Sequence, residues 1–181
     1  MTPPDTQFLV RESKACEQAR VEAIYPLAFP DEDLVPLLRD LWREPEHILS
    51  LVAERDDVLV AHAIFTRCSL SPEPASLALL GPIAVQPDQQ GRGAGSALIL
   101  EGFRRLREEG AAMVCVLGDP AYYSRFGFEA SRSVEPPYSA SDLPGEWEGA
   151  WQSIVLAVTG AGLRGRLLVP AAWDHESLWL P

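Results

Sequence analysis

The spacing of hydrophobic positions divides the chain into short helices and strands. Leucines and a tryptophan recur at three- and four-residue intervals across residues 34–42, which predicts an amphipathic helix beginning near residue 33. Two β-rich runs, 48–53 and 58–68, are separated by the polar turn 54–57, and this pattern predicts a pair of strands. The first part of the chain therefore combines helices with strands.

Two further elements are predicted near the start of the chain. Residues 8–11 are typical of a short strand, and residues 14–25 of a helix. Ser13 is a residue type that caps helices, and Pro26 is expected to end this helix.

The middle of the chain predicts a parallel crossover. Residues Ser76–Val85 are typical of a strand, a helix ends near Gly110, and residues 112–117 form a second apolar strand. A strand, a loop, a helix and a strand in this order make a right-handed unit whose two strands are parallel. The Gly81-Pro82 pair lies inside the first strand, and because proline cannot donate to a ladder, we expect a bulge or an unpaired edge there.

The last third of the chain predicts smaller elements. They are a short helix and three strands, at 120–126, 128–131, 154–158 and 166–169. Residues 134–151 are rich in Pro, Gly, Glu and Ser and are expected to form a surface excursion. The order of elements predicts an α+β fold, an α/β sandwich, with one parallel unit.

Length and charge narrow the function classes. The 181 residues are expected to form a single domain, residues 1–181. Fifteen Lys+Arg against 26 Asp+Glu give a net charge of −11, which argues against nucleic acid and anionic membranes as partners and favours cationic small molecules. Three widely spaced cysteines, no signal-peptide pattern in residues 1–10 and no long apolar run lead us to expect a cytoplasmic protein without a metal site.

The strongest chemical pattern is the glycine-rich segment 90–96, Gln-Gly-Arg-Gly-Ala-Gly-Ser, between a strand and a helix. Glycines let the backbone approach a ligand closely, and the first turn of a helix offers N–H groups and a positive dipole end. Arg92 adds a full positive charge, so the segment suits a phosphate or pyrophosphate. The spacing is that of neither a P-loop nor a dinucleotide fingerprint. A small NAD-dependent oxidoreductase and a turn without ligand remain alternatives.

Two stretches resemble one enzyme family. Residues 80–87, Leu-Gly-Pro-Ile-Ala-Val-Gln-Pro, and then 90–99 are similar to the central motif of the GNAT superfamily of N-acetyltransferases, Gln/Arg-x-x-Gly-x-Gly/Ala. Residues 116–128, with their Tyr-Ser-Arg-Phe-Gly-Phe run, are similar to the next GNAT motif and resemble the YhbS-like branch. The resemblance implies a GNAT-like mixed sheet, mostly antiparallel, with a central parallel βαβ unit and a splayed, bulged strand.

The resemblance also implies acetyl-CoA as the co-substrate. Its pyrophosphate would lie on the amides of residues 91–96, and its pantetheine arm along the strand that ends at Val85, as an added strand does. The bulge would aim an amide at the thioester carbonyl. The implied cofactor-binding residues are Ile83, Ala84, Val85, Gln90, Gly91, Arg92, Gly93, Ala94, Gly95 and Ser96. Where many family members carry an asparagine that contacts pantetheine, this chain has Gly118-Asp119-Pro120.

The implied reaction is direct attack of an amine on the thioester. Tyr123 matches the position where the family often has its general acid, and its alternative role is aromatic packing. Three candidates remain for the general base, namely His62, Glu22 and a chain of water molecules. Tyr122 is expected to pack or to lie at the rim.

The acceptor is expected to be a primary amine of a small molecule or peptide. Phe29, Asp31, Glu32, Tyr138 and Trp147 could line a cleft for a cationic amine, by their charge and aromatic content. The rival function is a non-catalytic acyl-CoA-binding sensor module. The protein is expected to be a monomer or a homodimer.

Overall fold

The computed structural model describes residues 8–138 and 149–179, and the chain forms two compact units. The first unit comprises Met1–Ile64 and Pro82–Gly102, and the second comprises Phe65–Gly81 and Phe103–Pro181. Two strands and one long helix each have residues assigned to both units.

The described residues contain five α-helices and nine strands. The helices are α1 Gln18–Glu22, α2 Tyr25–Ala28, α3 Val35–Trp42, α4 Ala94–Glu108 and α5 Pro120–Tyr123. The strands are β1 Leu9–Glu12, β2 Ile48–Arg55, β3 Val58–Pro72, β4 Ser76–Val85, β5 Met113–Leu117, β6 Glu129–Ala130, β7 Val134–Glu135, β8 Trp151–Val155 and β9 Gly165–Leu168. No described helix has the length and apolar content needed to cross a membrane.

The first unit joins three short helices to the strands β1, β2 and the first half of β3. β1 and β2 are antiparallel, from Leu9 opposite Glu54 to Glu12 opposite Leu51, and β3 follows β2 in the strand order. The leucine stripe forms α3 as predicted, because its apolar positions share one buried face. The fully buried side chains of this unit include Ile24, Tyr25, Leu38, Leu41 and Leu51.

The second unit contains the predicted parallel pair. β4 runs parallel to β5, from Leu77 opposite Met113 to Leu80 opposite Val116, and α4 connects the two strands. β5 pairs antiparallel with β8, and β8 with β6. The last residues of β3 pair antiparallel with β9, and β9 also pairs in parallel with β7. The mixed, mostly antiparallel sheet is therefore confirmed, with a second short parallel pair that the sequence pattern did not indicate.

The ladder between β4 and β5 ends directly before Gly81-Pro82. Leu80 opposite Val116 is its last pair, and Gly81 has a φ of +151°, a conformation that favours glycine. β4 nevertheless continues to Val85 in the first unit. The sequence pattern correctly located this break in pairing, since Pro82 has no N–H to donate.

The prediction of one continuous helix over residues 14–25 is wrong, because the structure divides this region into separate short elements. A 3-10 turn at Ala15–Glu17 leads into α1, and a separate helix α2 begins at Tyr25. Pro26 does not end a helix but lies in the first turn of α2, where the N–H that proline lacks would have no intrahelical partner. Ser13 does not cap a helix either, because its hydroxyl lies 2.7 Å from the hydroxyl of Ser50.

The elements near the C-terminus also differ in their bounds. β3 extends to Pro72, four residues beyond the prediction, because its end pairs with β9. The predicted excursion 134–151 begins with strand β7 and ends at the first residue of β8, and its residues 139–148 lie outside the described part of the chain. The strand predicted at 128–131 is only the two-residue β6.

Candidate active site

The glycine-rich loop is built by backbone conformation. It follows a 3-10 turn at Pro87–Gln89 and leads directly into α4. Gly91 and Gly93 have φ values of +71° and +95°, which L-residues rarely adopt. Nothing lies within 4 Å of a Cβ built on either residue, so the conformation and not the space requires glycine. The loop therefore turns sharply into the helix and leaves its outer side open.

The backbone of this loop offers a row of free donors. Among the described residues, the N–H groups from Gly91 to Ser96 have no hydrogen-bond partner, and the first intrahelical bond runs from Ala97 N to Gly93 O at 2.9 Å. They lie at the positive end of a 15-residue helix. Free N–H groups at such an end are suited to an anion, so this donor set is chemically compatible with the pyrophosphate of a coenzyme A.

The side chains of the loop contribute in different ways. Arg92 is exposed and has no ion pair or hydrogen bond to another described residue, so its guanidinium is free to bind an anion. The Gln90 side chain instead donates from Nε2 to the carbonyl of Val85 at 3.2 Å and fixes the loop to the end of β4. Ala94 is 1% exposed and has only a methyl side chain, so it offers no side-chain contact to an anion.

The end of β4 is held on the neighbouring strand β3. Gln86 donates from its backbone N to Val60 O at 2.9 Å and from Nε2 to Leu59 O at 3.0 Å. Between this anchor and Pro82, Ala84 is buried while Ile83 and Val85 are half-buried. These three residues were predicted to border the pantetheine arm, and they form a short segment whose far end is fixed.

Tyr123 is the last residue of α5 in the second unit. Asp119 caps this helix by accepting from the N–H of Ala121 at 2.8 Å. The Tyr123 ring packs in a T-shaped contact on Phe128, with 5.6 Å between centroids, and the residue is only 9% exposed. Burial raises the pKa of Tyr123 well above its usual value, with a smaller contribution from Tyr122. Its hydroxyl has no hydrogen-bond partner among the described residues, so its proton is not committed within that part of the chain.

Tyr122 occupies a different environment. It is half-buried, and the guanidinium carbon of Arg125 lies 4.4 Å from its ring centroid. The ring also contacts Phe126, with 5.7 Å between centroids. Tyr122 is therefore a packing residue of the short helix, as expected.

The surroundings of His62 and Glu22 disfavour both as a general base. His62 is fully buried, both of its ring nitrogens are hydrogen-bonded, and burial lowers its pKa to about 3. Glu22 accepts two hydrogen bonds of 2.8 Å from Arg39, which lower the pKa of the carboxyl. A group with a lowered pKa holds a proton weakly, so neither is suited to take one from an amine.

The predicted acceptor-binding residues lie in separate places along the chain. In the first unit, Phe29 is half-buried and Asp31 and Glu32 are exposed. In the second unit, the Tyr138 hydroxyl donates to Asp174 at 2.8 Å. Trp147 lies outside the described residues. Within the described ranges, no three His, Cys, Asp or Glu side chains are grouped so as to hold a metal ion.

Two residues of interest were missed by sequence reasoning. The sequence pattern predicts Tyr25 as the last residue of a helix, whereas in the structure its hydroxyl lies 3.4 Å from the carbonyl oxygen of Pro82. Gly118 was noted only as a departure from the family pattern, yet it lies directly against the ring of Tyr123. Neither contact has a local sequence signal, because each joins residues that only the fold brings together.

Comparison with protein families decides the assignment. A family described as "Acetyltransferase (GNAT) domain" matches residues 10–131, which is about two thirds of the chain. The chain belongs to the GNAT acetyltransferase family. The resemblance inferred from the glycine loop and from the Tyr-Ser-Arg-Phe-Gly-Phe run is thus confirmed, and the protein is an acyltransferase.

Two relatives of this GNAT protein come from Escherichia coli (strain K12). The uncharacterized N-acetyltransferase YjhQ is 36% identical over 143 residues, covering 76% of this chain and 76% of the relative. The uncharacterized N-acetyltransferase YhbS is 30% identical over 143 residues, covering 78% of this chain and 81% of the relative.

Two solved structures have the same fold. The crystal structure of Escherichia coli YhbS in complex with CoA matches with a TM-score of 0.82 and 28% identity, covering 97% of this chain and 96% of that one. A GNAT acetyltransferase from Brucella melitensis in complex with acetyl-CoA matches with a TM-score of 0.74 and 27% identity, covering 92% of this chain and 98% of that one.

Proposed function

We propose that this chain moves the acetyl group of acetyl-CoA to a primary amine of a small molecule or peptide. The observation that carries this proposal is the row of six N–H groups at the start of α4 that have no partner within residues 8–138 and 149–179, in a chain of the GNAT family. The two similar structures that hold CoA or acetyl-CoA support the same donor. Residues 1–181 act as one acyltransferase domain, as a monomer or a homodimer.

The donor is held by backbone groups more than by side chains. The N–H groups from Gly91 to Ser96 bind the pyrophosphate, and Arg92 adds a charge–charge attraction to a phosphate oxygen. Ile83, Ala84 and Val85 border the pantetheine arm, which pairs with the strand through its amides. Acetyl-CoA supplies the thioester that the amine attacks.

Tyr123 is the general acid of the proposal. A phenol is protonated at neutral pH, so the proton is present when it is needed. Burial raises the pKa of Tyr123 further above that of a thiol, so proton transfer depends on the departing thiolate lying directly against the hydroxyl. Tyr123 donates this proton to the departing sulfur. The hydroxyl has no hydrogen-bond partner among the described residues, so its proton is free for this transfer.

Water molecules take the proton from the attacking amine. The lowered pKa of His62 and the ion pair of Glu22 remove the two side chains that sequence reasoning had considered. The acceptor is a cationic amine, which the net charge of −11 attracts. Asp31 and Glu32 are exposed carboxylates of the first unit and contribute to this attraction.

The proposed role of Tyr123 is tested with Tyr123→Phe, and Tyr122→Phe serves as the matched control. Acetyl-CoA is mixed with spermidine, tyramine or a lysine-containing peptide as the trial acceptor. The reaction is monitored by the release of the free thiol of CoA. We expect Tyr123→Phe to lower kcat by about 10²-fold while acetyl-CoA affinity, measured by calorimetry, stays unchanged. Tyr122→Phe should keep the wild-type kcat.

Two results would contradict the proposal in different ways. An undiminished kcat in Tyr123→Phe would show that Tyr123 is not the general acid, but it would not contradict acetyl transfer by this protein. Tight acetyl-CoA binding without acetylated product for any amine would instead favour the non-catalytic sensor.

A further inference from the structure

A chain of hydrogen bonds in the first unit begins at two half-buried serines, passes through two buried side chains and ends at β4. The hydroxyls of Ser13 and Ser50 are 2.7 Å apart, and the Ser50 hydroxyl lies 2.8 Å from Nε2 of His62. Nδ1 of His62 lies 2.8 Å from the Tyr25 hydroxyl, which lies 3.4 Å from the carbonyl oxygen of Pro82. None of the four side chains has a role in the proposed acetyl transfer.

The two inner members of this chain are rigidly placed. His62 is 0% exposed and Tyr25 is 1% exposed. The Tyr25 ring makes a T-shaped contact with His62 at 5.8 Å and stacks on Phe29 at 6.3 Å between centroids. Polar groups are rarely kept in such a core unless all of them are satisfied, because an unpaired one costs about 1–3 kcal/mol.

The Pro82 carbonyl fixes the direction in which protons are donated along the chain. A carbonyl can only accept, so the single proton of the Tyr25 hydroxyl must lie toward Pro82 for this contact to be attractive. Nδ1 of His62 must then donate to Tyr25, and Nε2 must accept from Ser50. The opposite arrangement would bring two oxygen lone pairs together at the Pro82 contact. Donors aligned in one direction also polarise one another, which strengthens the chain.

The peptide that receives this hydrogen bond joins Pro82 to Ile83, the first of the three residues proposed to border the pantetheine arm. Because a trans peptide is planar, its carbonyl and its N–H point in opposite directions. Fixing the Pro82 carbonyl toward Tyr25 therefore turns the N–H of Ile83 to the other side of the strand. The ring of Pro82 restricts φ at the start of this peptide, and Gln86 anchors the other end of the segment.

We infer that Tyr25, supported by His62 and Ser50, is a positioning residue that orients the Ile83 N–H to polarise the thioester carbonyl of bound acetyl-CoA. This inference rests on the proposed function, since it concerns the same donor. Tyr25 touches no reacting atom and acts only through the peptide between Pro82 and Ile83. A fixed donor helps catalysis because it needs no reorganisation when charge develops on the oxygen.

The test is the infrared carbonyl band of acetyl-CoA labelled with ¹³C at the acetyl carbonyl, free and bound. In the wild type we expect binding to move the band to lower wavenumber. Tyr25→Phe keeps the ring and removes the hydroxyl, and it should lose most of that movement while acetyl-CoA affinity is kept. The control Ile64→Val removes one buried methylene from the same strand as His62 and should keep the full movement.

A second measurement uses the unaltered protein and does not depend on a variant folding. Nitrogen-15 correlation spectra report which ring nitrogen of His62 carries the proton, and we expect Nδ1–H. A proton on Nε2 would overturn the inference, as would a bound carbonyl band at the free position or one that Tyr25→Phe leaves unmoved. Failure of acetyl-CoA to bind the wild type at all would instead overturn the proposed function.

Discussion

Gly118 and Tyr123 are packed so closely that only glycine fits at residue 118. A Cβ built on Gly118 would lie 2.5 Å from Cε2 and 3.2 Å from Cδ2 of the Tyr123 ring. The ring therefore rests directly on the backbone that leaves β5. In this chain, glycine occupies the region where many family members have an asparagine, and a tyrosine fills the space above it.

Gly118→Ala should therefore displace Tyr123. We expect a loss of about 1–3 kcal/mol in the free energy of unfolding, since the added methyl group overpacks a buried contact. We also expect kcat to fall in the same direction as in Tyr123→Phe. A double variant separates the two causes: if Gly118 acts through Tyr123, adding Gly118→Ala to Tyr123→Phe should lower kcat no further. Additive losses would contradict that link.

Gly93→Ala tests the backbone conformation of the loop. An L-residue at a φ of +95° is strained by about 1–2 kcal/mol, so the loop should relax and its N–H groups should lose their alignment. Acetyl-CoA affinity, measured by calorimetry, should fall by roughly tenfold. Gly162→Ala is the matched control, because Gly162 has a φ of +88° and equally open surroundings in the second unit. It should lose similar stability and keep its acetyl-CoA affinity; equal affinity losses in both variants would contradict the prediction.

Arg92→Gln tests the charge beside the loop. Removing an exposed charge should weaken acetyl-CoA binding by a few-fold at low ionic strength, and by less as salt screens the attraction. The dissociation constant is measured over a salt series. Arg164→Gln, at another exposed arginine, should leave the series unchanged. If Arg92→Gln and the wild type show the same salt dependence, Arg92 does not contact the phosphates.

The buried His62 predicts how stability depends on pH. Its pKa is about 3 in the folded protein against an ordinary 6.5, so between these values the unfolded chain binds the extra proton. The free energy of unfolding should therefore fall as pH drops below 6.5, by about 1.4 kcal/mol per pH unit. Glu17, whose pKa is lowered from 4.5 to about 2, contributes only at lower pH. The change in the free energy of unfolding between pH 6 and 5, measured by urea denaturation, therefore reports the protonation of His62.

Two variants check that assignment. His62→Gln should flatten the dependence between pH 6 and 5, and His47→Gln, at an exposed histidine, should keep it. A wild-type free energy of unfolding that does not change over this range would show that His62 is protonated in the folded protein.

The features that the sequence predicted are those encoded by neighbouring residues. Periodicity alone predicts the leucine stripe of α3. The glycine loop follows from residues that adopt a positive φ, and the break at Gly81-Pro82 follows from the missing N–H of proline. Pro26 was misread because one proline is compatible both with the end of a helix and with the first turn of another, and only packing decides between them.

The remaining features depend on contacts between distant parts of the chain. The bond between Tyr25 and His62 spans 37 positions, and β9 lengthens β3 from almost 100 residues away. The pairing of Glu22 with Arg39 likewise joins two helices, and it turns a candidate base into a fixed ion pair. Such contacts leave no trace in local periodicity.

Acetyl transfer from acetyl-CoA to an amine is measured by mass spectrometry of a panel of amines incubated with acetyl-CoA and the wild-type protein. We expect an acetylated amine, with one free thiol released for each acetyl group transferred, and a preference for cationic acceptors. Acetyl-CoA that binds but stays intact with every amine, or thiol release without an acetylated amine, would contradict the proposed acetyl transfer.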